Sequence, residues 1–428
     1  MNLSKAAQAL WAKKSAKESS KWLPLYVHLE DTAGLAEKLW EHWLSPGVKR
    51  ALYRTVLPKS DAKQLFIFLA AAHDIGKATP VFQAKPAIHR LCALDAALYE
   101  NLALVLPPMP EYGSFSNPKK TPHALASMLL AQKYGCHKNI AVILGAHHGR
   151  PPNRDMLEKQ TIGAYPRNYH INALAKPAWE QVQEEIFNYA LSLSGVSSLN
   201  DLPLPKAPAQ VLLSGLLILA DWLASSEAEF PLFLLDEPIQ YDKTQRINNA
   251  WKLSPFVTTQ WVPSNAYMED NLYKRRFGFL PRPMQVKAAE LAAKLENPGV
   301  IILEAPMGAG KTEAALAVAE ILANKTARTG IFFALPTQAT SDGIFPRMIR
   351  FIENLESGTH SIRLAHAKAQ FNEHNLALSK TNTNTGMYLD DEDGAVVLEW
   401  FKGPKRALLS DFVVGTIDCS APGLCTNQ

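Results

Sequence analysis

Apolar residues recur at three- and four-residue spacing through Leu35-Leu39-Trp43, through Leu65-Phe68-Leu69 and through Leu125-Leu129-Leu130. That is the period of amphipathic helices, so residues 20–226 are expected to be almost purely helical. Two long interruptions break the pattern. One runs from Leu106 to Pro122 and is rich in Pro, Gly and Ser; the other runs from Arg150 to Tyr169 and opens with Pro151-Pro152-Asn153. Loops of this length in a compact domain usually carry a function, which makes both segments candidates for facing a substrate. After Ser226 the period fades, and residues 227–270 read as a connector with room for one helix. From Asn271 the pattern changes to strand-helix alternation. Val300–Glu304 is expected as a strand, Thr312 to Lys325 as a helix and Gly330 to Leu335 as a second strand. That βαβ unit implies a parallel sheet, with Ile362–His366 and Phe412–Thr416 as further strands. The first 19 residues are expected to form a short basic helix, and residues 271–428 an α/β lobe.

A chain of 428 residues suits two to three domains. Its net charge of +4 permits nucleic-acid contact without arguing for it. Cys92, Cys136, Cys419 and Cys425 show no paired metal spacing and no disulfide framework, so a reducing cytoplasm fits. The N-terminus has no apolar signal core. The longest greasy stretch, Val211 to Ala220, is too short to span a bilayer, and no membrane contact is expected.

Against that background one dipeptide stands out. His73-Asp74 closes the apolar run Phe-Leu-Ala-Ala-Ala and continues into Ile-Gly-Lys77. An adjacent imidazole and carboxylate can take different faces of a bound metal, and candidate partners exist in His28, His123, His147, His148 and Asp221. Thr121-Pro122 reads as the capped start of a helix that holds His123 in its first turn. His147 and His148 fall in the last turn of an apolar helix closed by Gly149. Asp221 has apolar neighbours on both sides, a costly place for a carboxylate unless it is paired or binds metal. His28 is expected just before a helix that begins near Asp31. Five imidazoles and two carboxylates suit two divalent transition metal ions (Mn, Fe, Co or Ni), with Asp74 as the bridge and a catalytic group. Lys77, one turn past His73, is placed to neutralise phosphate charge. His42, His89, His137, His170, His360, His366 and His374 read as ordinary hydrogen-bonded residues.

A second motif, Ala305-Pro-Met-Gly-Ala-Gly-Lys-Thr312, follows the expected strand and opens the expected helix, which is the context a phosphate-binding loop needs. Gly308 and Gly310 let backbone N–H groups close around phosphate, Lys311 reaches the β- and γ-phosphates, and the Thr312 hydroxyl holds the magnesium of Mg-ATP. Ala305 stands where the general pattern has its first glycine. Upstream, Phe277 and Arg282-Pro-Met-Gln285 are expected to clamp adenine, with Gln285 reading the base edge.

The two halves together resemble the type I CRISPR-associated helicase-nuclease family. Trp22 to His28, His73-Asp74-Ile-Gly-Lys77, His123-Ala-Leu-Ala-Ser, His147-His148-Gly and Ala220-Asp221-Trp-Leu-Ala-Ser look like its HD nuclease domain, in family order. Gln285, Lys311-Thr312, Ala334-Leu-Pro-Thr-Gln and Val414-Gly-Thr-Ile-Asp418 look like successive motifs of the first RecA-like lobe of superfamily 2 helicases. The resemblance implies a multi-domain protein: an all-α HD-type metal-dependent phosphohydrolase domain at 20–226, then an incomplete α/β RecA-like lobe. It implies His28, His73, Asp74, His123, His147, His148 and Asp221 as metal ligands, and Pro336, Thr337, Gly415 and Thr416 as DNA contacts. The implied activity is metal-dependent cleavage of single-stranded DNA in antiviral defence, by a monomer that docks on a DNA-bound surveillance complex. No acidic Walker B box and no second RecA-like lobe follow, and the ending after Asp418 departs from the family. ATP hydrolysis needs groups from both lobes, so the expectation is ATP binding without unwinding. Two other readings are an inactive truncated remnant that only docks, and an HD phosphohydrolase of small nucleotides.

Overall fold

The computed structural model describes every residue except 1, 16–17, 19, 58–61, 87–91, 258–260, 264–271, 297–298, 356–357, 384–393, 397–405 and 421–428. Part of the expected connector and nearly all of the ending after Asp418 therefore lie outside the described residues. The chain divides into two compact units. One comprises Met1–Leu44 with Lys49–Ser254, the other Ser45–Val48 with Pro255–Gln428.

The first unit is built around the helix Ala62–Ala72, whose sequence AKQLFIFLAAA is apolar on almost every face. A helix of that kind has to be central. It packs against Leu25–Lys38, Lys176–Leu193 and Ala207–Ala224, and Phe66, Phe68 and Leu69 are fully buried. Ala207–Ala224 is the one helix among the described residues long and apolar enough to cross a membrane. The sequence reading measured only its central stretch. Here it lies against Leu25–Lys38 and Ala62–Ala72, with Leu213, Leu217 and Ala220 in the core.

Both expected borders of this unit move. The N-terminus is no basic helix: among its described residues only Lys5–Ala9 is helical, and Trp11–Lys14 is a strand antiparallel to Lys21–Pro24. Trp11 is buried, and its backbone and indole N–H groups donate to the Gln83 side chain and carbonyl at 3.1 and 3.0 Å. Gln83 in turn donates to the Trp11 carbonyl, so burying one tryptophan draws the segment into the domain. At the other end, residues 227–254 are part of the unit rather than a connector. The helix Lys243–Leu253 places Arg246 in a bidentate pair with buried Asp31, and Tyr241 donates to Glu30. The two loops also hold more order than expected: Tyr112–Ser114 and Pro118–Lys120 are 3₁₀ turns in the first, and Arg154–Lys159 and Pro166–His170 are short helices in the second. Fully buried Asn168 donates to the Ser116 carbonyl at 3.1 Å and to Thr121 Oγ1 at 2.8 Å, clasping one loop to the other.

The second unit contains a four-stranded parallel sheet in the order Ile331–Leu335, Phe412–Thr416, Thr359–Ala365, Gly394–Val396. Its core joins Phe345, Phe351, Ile362, Leu364, Phe412 and Val414. The expected strand at Val300–Glu304 does not form; no regular structure is assigned there, and Val300 and Ile302 are 89% and 80% exposed. A strand exists only through its ladder partners. Among the described residues Ile331–Leu335 pairs with Phe412–Thr416 alone, and nothing pairs with 300–304.

Asp411 ties the sheet's entry together by accepting from the Ser361 amide at 2.9 Å and its hydroxyl at 2.8 Å. Burial outweighs those bonds and pushes its carboxyl up to about 6. A carboxyl with a raised folded pKa binds more protons folded than unfolded. Its contribution to stability is therefore whole below about pH 4 and is lost as pH climbs through about 6. Thermal melts from pH 4 to 8 should show this unit losing stability over that window, and Asp411→Asn should flatten the slope.

Candidate metal centre

Five elements deliver the seven expected side chains to one place. His28 sits inside the first turns of Leu25–Lys38, which starts earlier than the sequence suggested because the strand Lys21–Pro24 leads directly into it. His73 and Asp74 follow the end of Ala62–Ala72, and Asp221 lies in the last turn of Ala207–Ala224. His123 is the first residue of His123–Lys133. The cap there is Pro122, not Thr121, whose hydroxyl is taken by Asn168. His147 and His148 lie just beyond Lys138–Gly145, in a turn closed by Gly149 at φ 100°.

Asp74 is the hub. Its Oδ2 lies 3.0 Å from His28 Nε2 and 3.2 Å from His73 Nε2, while Asp221 Oδ1 lies 3.7 and 3.5 Å from the same two nitrogens. Its Oδ1 faces His123 and His147, with Nε2 atoms at 3.5 and 3.6 Å. His148 Nε2 lies 2.7 Å from His123 Nε2. The donors thus form two groups: His28, His73, Asp74 and Asp221, and beside them His123, His147 and His148. His28, His73, Asp74 and His147 are almost completely buried, whereas His148 is exposed.

The site's polar atoms fit cations better than they fit one another. His28 Nε2, His73 Nε2, His147 Nε2 and Asp74 Oδ1 are buried without a hydrogen-bond partner, close in space but not aligned as donor and acceptor. Such atoms are costly to bury unless something else satisfies them. The outward nitrogens of two of these histidines are fixed: His73 Nδ1 bonds the Ala70 carbonyl at 2.8 Å, and His147 Nδ1 bonds the Leu144 carbonyl at 2.7 Å. Carbonyl partners put the proton on Nδ1 and leave Nε2 as a lone pair, the arrangement metal-bound histidines use.

The electrostatics agree. Burial lowers the pKa of His28 and pushes His147 down to about 4 and His123 well below its ordinary value, so three imidazoles are neutral at pH 7 and could offer lone pairs to a cation. Burial opposes the charge on Asp74, but the Lys77 ammonium and His73 overcome it and hold the carboxyl well below the usual range. Burial also disfavours charge on His73, yet Asp74 and Asp221 raise it to about 10, so a proton would compete with any metal ion for that Nε2. Lys77 Nζ lies 2.6 Å from Asp74 Oδ2 and over the Phe82 ring.

Sequence reasoning missed Gly76. Its N–H donates to Ser127 Oγ at 2.9 Å, and a Cβ there would overlap the His123 carbonyl and the Ser127 amide. The glycine in His-Asp-Ile-Gly-Lys lets the turn carrying Asp74 press against the helix carrying His123.

In the second unit Gly308 and Gly310 adopt φ 75° and 86°, as a phosphate loop requires. Lys311 Nζ donates to the Ala305 carbonyl at 2.6 Å, and Thr312 stands in the first turn of Lys311–Thr326. Gln285 is buried and braces the loop: its Nε2 donates to the Gly310 carbonyl at 3.1 Å, and its Oε1 accepts from the Arg282 amide at 2.8 Å. Phe277 stacks between Phe279 and Phe351 and so serves the packing. The Arg347 guanidinium, 3.4 Å from Thr312 Oγ1, joins this site with no sequence signal to announce it. Pro336-Thr337 and Gly415-Thr416 lie at or just beyond the carboxyl ends of neighbouring strands, where Leu335 pairs with Thr416.

Comparisons with known proteins converge on one family. The family described as "Cas3, HD domain" matches residues 11–230. A CRISPR-associated nuclease/helicase Cas3 of Streptococcus thermophilus is 44% identical over 95% of this chain and 45% of its own length. The CRISPR-associated endonuclease/helicase Cas3 of Thermus thermophilus is 31% identical over 99% and 44%. A crystal structure of T. fusca Cas3 with ADP superimposes with a TM-score of 0.69 at 26% identity, covering 96% of this chain and 44% of that one. The chain therefore spans slightly less than half the length of the relatives it matches. With an all-α unit carrying the histidine-aspartate cluster and a second unit built on a parallel sheet, this chain belongs to the Cas3 family of HD-domain nuclease/helicases.

Proposed function

We propose that the chain hydrolyses phosphodiester bonds of single-stranded DNA at the seven-residue centre, while its second unit binds Mg-ATP and the DNA backbone. The observation that carries this reading is Asp74, one buried carboxylate whose two oxygens face two separate donor groups. Two divalent transition ions (Mn, Fe, Co or Ni) held there would supply an activated water and a clamp on the oxygens of an in-line displacement. The protein's own groups do the rest. Asp74 bridges the two groups, and His28, His123 and His147 offer neutral lone pairs. Lys77, fixed over Phe82, offsets negative charge as a phosphate approaches. His148 marks the solvent side, and Asn168 joins the loops 106–122 and 150–169 at Thr121, two residues before His123. That clasp supports a reading in which both loops flank an incoming strand.

In the second unit Gly308, Gly310, Lys311 and Thr312, braced by Gln285, take the nucleotide, and Pro336, Thr337, Gly415 and Thr416 take the DNA backbone. The relatives' names associate them with CRISPR, which supports a role for this chain in CRISPR defence; we further propose that it acts in the cytoplasm as a monomer recruited to a DNA-bound surveillance complex. Circular single-stranded DNA incubated with Mn²⁺, Co²⁺ or Ni²⁺ should be cut. Excess EDTA should abolish cutting, and affinity should fall with salt because the contacts are to phosphate. Cutting that survives chelation, or hydrolysis confined to free nucleotides, overturns the proposal.

A further inference from the structure

The stretch that follows Asp74 is tied down as far as Lys85. Thr79 Oγ1 donates to the Gly76 carbonyl at 2.9 Å, and Gln83 Nε2, besides its bond to Trp11, donates to the Lys77 carbonyl at 2.8 Å. The Lys85 amide donates to the Phe82 carbonyl at 2.9 Å, and the Lys85 carbonyl accepts from Lys14 Nζ at 2.8 Å. Lys14 is held in turn by Asp95 at 2.7 Å and lies over the Trp11 ring.

This framework fixes one buried ring with two ammonium groups on it. Phe82 packs on Trp11 with centroids 4.6 Å apart and meets the His123 ring at 5.5 Å. His123 in turn touches exposed His148, so Phe82 stands on the solvent side of the centre. Lys77 Nζ lies 5.5 Å from the Phe82 centroid and Lys85 Nζ 5.3 Å.

The two lysines differ in what surrounds them. Lys77 lies 2.6 Å from Asp74, which matches much of its charge. Lys85 is exposed and has no carboxylate partner among the described residues; burial, and then the Lys77 ammonium, pull its pKa below the ordinary lysine value. A cation–π contact accounts for one ammonium on Phe82, but not for a second brought up against the repulsion of the first. An anion in front of the pair relieves that repulsion. A single strand carries a phosphate on every nucleotide, and proteins that hold one track its backbone with cations.

We propose that Lys85 holds the backbone phosphate next to the one being cleaved, with Phe82 as the spacer that separates it from Lys77. It rests on the reading that the seven-residue centre cuts single-stranded DNA, which the parent chain's own cutting tests separately.

Steady-state cleavage of oligo-dT by the full chain in Mn²⁺ is the experiment. Lys85→Ala should raise KM about tenfold, the size expected for losing one charged hydrogen bond, with most of the change in KM rather than kcat. The slope of log KM against log salt should fall by about 0.7. Lys85→Arg should keep the parent's KM. Lys85→Met, which leaves an apolar stem over Phe82 without the charge, should match Lys85→Ala. Removing a cation does not weaken the binding of another nearby, so Lys85→Ala should bind Mn²⁺ no more weakly than the parent in a titration. An unchanged KM in Lys85→Ala, in a parent that cuts, overturns the assignment and leaves the nuclease reading standing. So does a parent-like Lys85→Met, which would make the stem the part that matters. A raised KM accompanied by weaker Mn²⁺ binding also overturns it, because Lys85 would then be bracing the metal centre. A parent that fails to cut takes both readings down.

Discussion

Asp74→Ala should reduce cleavage of single-stranded DNA by more than about a hundredfold, since losing even an outer-shell partner of a metal site costs 10- to 100-fold. Among the described residues Asp74 alone is a carboxylate with ion-pair contacts to both donor groups; Asp221 has them to one. Removing it takes a donor from its own group and the facing oxygen from the other, and leaves His28, His73, His123 and His147 around an uncharged methyl. Cations held there would lose their shared anion, and Lys77 loses its partner at 2.6 Å. Asp221→Ala should cost less metal, because the group of His123, His147 and His148 keeps all its donors. A plasmid-sized circular substrate, followed by gel under matched metal, gives the comparison. Asp74→Ala cutting at the parent rate would remove the hub from the account.

Gly76→Ala should weaken transition-metal binding by more than about tenfold without touching a ligand. The added methyl meets backbone atoms of the His123–Lys133 helix rather than the end of a flexible side chain, so the two segments must part. Overpacking a tight contact of this kind costs about 1–3 kcal/mol, and here the strain falls between Asp74 and His123. Isothermal titration with Mn²⁺ or Ni²⁺, alongside a melt in EDTA, separates loss of metal from loss of fold. Unchanged metal affinity in Gly76→Ala would mean that the close approach does not set the site.

The cluster of histidines and carboxylates was legible in the sequence because its chemistry is expensive. His73-Asp74 and Asp221 sit among apolar residues that say "buried", and a buried carboxylate needs a partner. The central helices were legible for a related reason, since Phe66 to Ala72 has no polar face to give to water. Three features were not legible. Gly76 carries no charge and looks like any turn glycine until the helix it touches is known. The strand Trp11–Lys14 reads as helix by composition, but its pairing with Lys21–Pro24 and the Gln83 clasp on Trp11 decide otherwise. Arg246 lies 215 residues from Asp31, and no local pattern links them. The opposite error occurred at Val300–Glu304, where an apolar run suggested a strand that finds no ladder partner among the described residues. Periodicity reports which residues seek burial; it does not report which neighbours arrive.

The central claim is that seven side chains hold two metal ions around one shared carboxylate. Elemental analysis of chelator-free protein, after loading with Mn²⁺ or Ni²⁺ and desalting, tests it most directly. The account predicts two equivalents per chain, falling to one or none in Asp74→Ala. A parent chain that retains no transition metal, or an Asp74→Ala chain that retains the same two, would contradict it.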